Sequence, residues 1–143
     1  MSVSLSKKQS VSLTKSNPGL QNIFMGLGWD AAKPKGGLFA ALFGSSVETG
    51  NIDLDASCLM FNSNKDLVDT VWFRKLTGVD GNVYHSGDNL TGDGDGDDEV
   101  IHINLSKLPE KIATLVFVIT SFRGQTFDKI DSATCRVVDK DTN

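Results

Sequence analysis

Apolar and polar residues alternate with a period of two along most of this 143-residue chain. In "LQNIFMGLGWD" (20–30), Ile23, Met25, Leu27 and Trp29 fall on one side, with Phe24, Gly26, Gly28 and Asp30 opposite. In "IDLDASCLMF" (52–61), Ile52, Leu54, Ala56, Cys58 and Met60 share a face, and Asp53, Asp55, Ser57, Leu59 and Phe61 share the other. The runs 10–15, 70–76, 82–86, 99–105, 112–122 and 132–139 read the same way, separated by Gly and Asx clusters. Strict alternation over short runs predicts half-buried strands, and many such runs with turn punctuation predict an all-β fold, an antiparallel β-sandwich. Helical signals are weak: "LSKLPE" and "GQTFDKI" each predict at most one turn.

Two segments break the pattern. The first, "AAKPKGGLFAALFGSSVETG" (31–50), is too long for a hairpin turn. Leu38, Phe39, Leu42 and Phe43 either fold onto the sandwich edge or form an apolar finger, helped by Lys33 and Lys35, for a partner or a membrane surface. The second is "HSGDNLTGDGDGDDE" (85–99). From Asp88 to Glu99 it places six carboxylates in twelve residues, with no Lys or Arg between Lys75 and Lys107.

Charge sharpens that second feature. The formal net charge is -4, but six of the 18 acidic groups lie in this one loop, and the other 12 face 14 Lys and Arg. Like charges about 4 Å apart repel by roughly 1 kcal/mol in water and by several-fold more near a protein surface. Such a loop either stays open in solvent or is held together by cations. An acidic chain without a basic stripe excludes a nucleic-acid partner. The size and composition suit one domain over residues 1–143. The polar N-terminal run reads as neither a signal peptide nor a membrane span. Cys58 and Cys135 both sit in strand-like runs and are expected to be buried, reduced thiols.

The loop's donors are oxygens. Calcium takes six to eight oxygen ligands in flexible geometry, and carboxylates from Asp88, Asp93, Asp95, Asp97, Asp98 and Glu99, an amide oxygen from Asn89 and glycine-exposed carbonyls supply that mixture. Magnesium demands a stricter octahedron, and zinc prefers His and Cys, whereas His85 and His102 have no nearby Cys. The spacing is not an EF-hand, since Leu90 and Gly92 stand where that motif needs oxygen side chains. One Ca²⁺ offsets two of the six charges and two ions offset four. The expectation is therefore two calcium ions, shared between the loop and the strand end bearing Asp53 and Asp55, with Asp30 nearby. A solvated acidic linker and a catalytic carboxylate pair are the competing readings.

"GLGWD" (26–30), "IDLDAS" (52–57), "HSGDNLTGDGDGDDE" (85–99), "FRGQTF" and "CRVVD" together resemble the tellurium-resistance family of TerD-type domains, with "VWFRKL" and "SFRGQTFDKI" similar to its TerZ-like branch. The resemblance implies a β-sandwich with calcium-binding loops at one edge. It implies a bacterial, cytoplasmic protein of tellurite resistance and stress response without enzymatic activity. It carries the calcium pattern onto Asp53, Asp55, Asp88, Asn89, Asp95, Asp97, Asp98 and Glu99; position 93, Glu in many relatives, is Asp here. Relatives continue with further strands after a segment like "CRVVDKDTN", so an open sheet edge is expected. Other tellurium-resistance proteins or the inner membrane surface are the expected partners. The alternatives are a calcium-dependent docking module, thiol chemistry on tellurite at Cys58 or Cys135, and a hydrolase using the carboxylates.

Overall fold

The computed structural model describes residues 3–31, 52–124, 126–127 and 130–142. The apolar 38–43 run with Lys33 and Lys35 lies outside the described residues, as do Gln125, Asp128 and Lys129 of the turn expected in "GQTFDKI". Among the described residues eight strands follow in order: β1 (Asn22–Ala31), β2 (Leu54–Phe61), β3 (Leu67–Val71), β4 (Thr77–Gly78), β5 (Val83–His85), β6 (Glu99–Asn104), β7 (Thr114–Ser121) and β8 (Ile130–Asp139). They form two antiparallel sheets, one ordered β4-β5-β6-β1-β8 and the other β3-β2-β7. A single 3-10 turn, Leu105–Lys107, follows β6 where "LSKLPE" predicted one.

The core forms where the inward faces meet. Ile23, Met25, Leu27 and Trp29 of β1 and Ile101 and Ile103 of β6 pack against Leu54, Ala56, Cys58 and Met60 of β2 and Val71 of β3. Full burial of each large side chain contributes about 1.5–3 kcal/mol. Trp29 also donates its indole N–H to the Ile52 carbonyl at 2.8 Å, which ties β1 to the start of β2. No helix among the described residues is long and apolar enough to cross a membrane.

Three expectations are corrected. The 10–15 run is not a strand: Leu13–Ser16 form one helical turn, closed by the Asn17 N–H on the Leu13 carbonyl at 2.8 Å. Alternation makes a strand only where a neighbouring edge accepts it, and Val11 and Leu13 are exposed. The strand expected at 70–76 instead begins at Leu67 and ends at Val71. The chain then reverses, with Trp72 and Lys75 exchanging backbone hydrogen bonds of 3.1 and 2.9 Å. Cys135, expected buried, is exposed, because β8 is an edge strand whose outer side has no neighbour among the described residues.

Cys58 is fully buried, and burial pushes its thiol up to about 12. A maleimide should therefore label exposed Cys135 in the native protein, slowed by the burial and the Asp97 charge that raise its thiol, and reach Cys58 only after denaturation. Mass spectrometry after a short pulse checks this; two labels on the native chain would contradict the packing.

Candidate metal centre

The first two outward-facing residues of β1 after Phe24 that lack a side chain, Gly26 and Gly28, give the acidic loop its seat. A Cβ on Gly28 would stand 2.3 Å from the Gly96 carbonyl oxygen, and one on Gly26 would stand 2.3 Å from the Asp97 carboxyl. The loop thus lies directly on the strand. Its end is fixed by ladder-like bonds: Asp98 N–H donates to the Leu27 carbonyl at 2.8 Å, and Trp29 N–H donates to Asp98 Oδ2 at 2.9 Å. Asp98 Oδ1 also accepts from the Asn89 amide at 3.1 Å, closing the loop on itself.

Asp53, Asp55 and Asp88 converge. Each offers a carboxylate oxygen, and the three atoms lie within 4.8 Å of one another. Asp53 and Asp55 point away from the apolar face of the 52–61 segment, as its alternation predicts, yet they are 2% and 4% exposed. Glu99, fully buried at the start of β6, adjoins them: its Oε2 accepts from Ala56 N–H at 2.7 Å, and its Oε1 accepts from Asn89 N–H at 3.2 Å. His85 backs Glu99. Its Nδ1 accepts from Gly87 N–H at 3.0 Å, which leaves Nε2 facing Glu99 Oε2 at 3.3 Å, near but misaligned for a hydrogen bond.

The electrostatics are those of a site short of positive charge. Burial, then the Asp88 charge, raises the Asp53 carboxyl, while Arg123 pulls it down. Burial, then the charges of Asp53, Glu99 and Asp88, pushes Asp55 up to about 6. Among the described residues, the cation that pairs with the trio is Arg123, half exposed, with Nε 3.8 Å from Asp53 Oδ2. Asp53 Oδ1 is buried with no hydrogen-bond partner. An unsatisfied buried carboxylate oxygen is costly, and a bound cation removes that cost. The donor set, all oxygens with several carboxylates, matches a hard divalent cation of flexible coordination.

A second acidic group lines an open depression of about 170 Å³ between β1, β8 and the loop. Asp30, Asp95 and Asp98 contribute carboxylates, and Gly94 and Gly96 contribute backbone, with Ser132 and Thr134 at the rim. Gly94 and Gly96 take φ of +141° and +103°, which only glycine adopts without strain and which lets the chain line the depression. Burial raises the Asp98 carboxyl. Ser132 donates its hydroxyl to Asp30 Oδ2 at 2.6 Å.

The other expected ligands are engaged elsewhere. Asp97 makes a two-pronged ion pair with Arg136 of β8, at 2.9 Å from both Nε and the nearer guanidinium NH2. The Asn89 side-chain oxygen accepts from Thr91 and Gly92 N–H, each at 3.1 Å. Asp93 is exposed at the loop's tip. Sequence reasoning missed Arg123 and Arg136 as the cations facing these acids; both sit in the "FRGQTF" and "CRVVD" segments, where no local charge pattern marks them.

A family model described as the TerD domain matches residues 1–143. The chain is 53% identical to the tellurium resistance protein TerZ of Serratia marcescens, over 96% of this chain and 69% of that protein. It is 45% identical to the stress response protein SCP2 of Bacillus subtilis, over 98% of this chain and 72% of that one. A crystal structure of a homologue of the telluride resistance protein TerD from Streptomyces coelicolor superposes with a TM-score of 0.65 at 21% identity, covering 85% of this chain and 68% of that one, and shows the same fold. The chain belongs to the TerD domain family of tellurium-resistance and stress-response proteins.

Proposed function

We propose that this protein is a calcium-binding, non-catalytic member of its family, cytoplasmic, acting in the stress response associated with tellurite resistance. One observation carries the calcium reading: the buried, unpartnered Asp53 Oδ1 stands among carboxylate oxygens of Asp55 and Asp88 that lie within 4.8 Å of each other. One ion would be held by Asp53, Asp55 and Asp88, with Glu99 alongside. A second would sit in the depression at Asp30, Asp95 and Asp98. Both bind the loop to the sheet, so the ions order the acidic edge and offset much of its negative charge. That change is a signal a partner, such as another tellurium-resistance protein, can read.

Carboxylates serving ions rather than catalysis fits the surroundings. The residues lining the depression include no His, Cys or Lys to act with Ser132 as a nucleophile. Thiol chemistry on tellurite is disfavoured: Cys58 is sealed in the core with a raised thiol, and Cys135 lies in the other sheet with no second thiol beside it.

Calorimetric titration with calcium tests the proposal and carries its own pH signature. Calcium must displace the proton on Asp55, so affinity should hold above pH 7 and weaken by about tenfold per unit below the Asp55 value of about 6. Without metal the sign reverses. A raised carboxyl holds its proton more tightly folded than unfolded. Its stabilising contribution is complete below about pH 4 and lost as pH rises through about 6. Absence of calcium heat at pH 7.5 would refute the reading.

A further inference from the structure

The turn after β3 belongs to neither the core nor the acidic centre. Its backbone hydrogen bonds hold Trp72 and Phe73 edge to face, with ring centroids 4.8 Å apart. Phe73 meets Phe122, just past β7, in a second edge-to-face contact at 5.5 Å. Phe122 is 57% exposed, and Trp72 and Phe73 are half-buried. The Arg74 guanidinium lies 5.9 Å from the Trp72 ring centre and 5.2 Å from that of Phe73, and no carboxylate among the described residues pairs with it. This ridge adjoins the acidic trio: Phe122 N–H donates to the Asp53 carbonyl at 3.0 Å, and Arg123 reaches the Asp53 carboxylate.

The geometry points to this ridge as a docking surface for an anionic phospholipid bilayer. Three contiguous aromatic rings at an exposed end are what the interfacial zone of a membrane accepts, with Trp and Phe at the headgroup level. Arg74 and Arg123 supply guanidiniums for lipid phosphates, and each basic group near an anionic leaflet strengthens binding by about fivefold. The adjacent trio would repel the same lipids until a divalent ion offsets its charge. Ion dependence therefore rests on the calcium reading, whereas the ridge itself does not. A protein partner could bury the same rings. Lipid is favoured because the ridge's own charge is cationic and the acidic trio beside it loses two of its three negative charges to a divalent ion.

Sedimentation of the full chain with vesicles tests it. Vesicles of phosphatidylglycerol and phosphatidylcholine should carry the protein down in calcium, about tenfold less in chelator, and phosphatidylcholine alone should not. Phe122→Ser and Arg74→Gln, both at exposed positions, should weaken binding by about fivefold or more with the circular dichroism unchanged. The chain has 2 Trp, and Trp29 is buried, so a blue shift of emission on binding should come from Trp72 and vanish in Trp72→Phe. No binding to anionic vesicles in calcium, or binding that neither variant alters, overturns the proposal. So does a protein partner that occupies the ridge while vesicles stay unbound. Calcium heat without vesicle binding overturns the ridge alone. Vesicle binding that ignores chelator overturns the role given to the ion and leaves the ridge standing.

Discussion

Calcium at a hundredfold excess over its dissociation constant should raise the thermal midpoint by roughly 8 °C per site relative to the chelated protein. An ion that binds only the native state contributes about 2.7 kcal/mol at that excess, and a domain of this length moves by about 3 °C per kcal/mol. The physical source is the mutual repulsion of Asp53, Asp55 and Asp88, whose oxygens approach within 4.8 Å, two of them in buried side chains. Magnesium, which resists losing its waters, should give a smaller shift. Asp55→Asn separates a ligand from a merely structural group. Removing a carboxyl that burial and then its neighbours' charges push up to about 6 should stabilise the chelated protein, while it removes most of the calcium increment at this site. Scanning calorimetry of both proteins in calcium, magnesium and chelator reads all of this. Equal midpoints in the three solutions would sink the idea.

The sandwich was legible because each central strand buries one face. Ile23 to Trp29 and Leu54 to Met60 alternate with the period of the pleat, and both sets are core. Where a strand's surroundings rather than its own residues decide, the sequence said less. Cys135 alternates with apolar neighbours as Cys58 does, but β8 lies at an edge and β2 between two strands. "VWFRKL" has the aromatic and β-branched composition of a strand, and an exposed aromatic turn uses the same residues. At the site, charge clustering marked the loop as a place where carboxylates crowd, and Asp88 of the loop does meet Asp53 and Asp55. It did not reveal which carboxylates meet. Asp88 joins Asp53 and Asp55 through the packing of β2 against β6, and Asp97 leaves the group for Arg136, 39 positions away. Such pairings are tertiary and leave no local pattern.

Replacing Gly28 by alanine should unseat the acidic loop without touching a carboxylate. The new Cβ would lie 2.3 Å from the Gly96 carbonyl oxygen and 3.3 Å from its carbon, and neither atom belongs to a side chain that can swing aside. β1 cannot retreat, because it is paired along its length with β8 and, up to Leu27, with β6. The loop must therefore lift, straining the Asp98 N–H bond to Leu27 and the Trp29 N–H bond to Asp98. An overpacked position of this kind costs about 1–3 kcal/mol, and calcium affinity at the Asp30–Asp95–Asp98 depression should fall by about tenfold or more. Gly26→Ala is the matched control. There the Cβ meets only the Asp97 carboxyl, which can rotate away at the cost of a half-exposed ion pair worth under about 1 kcal/mol. Urea denaturation in chelator and calcium titration of both variants distinguish them. Wild-type behaviour in Gly28→Ala would mean the loop does not rest on β1. Loss in Gly28→Ala with retention in Gly26→Ala would trace binding to where the backbone holds its carboxylates, since every one of them is still present.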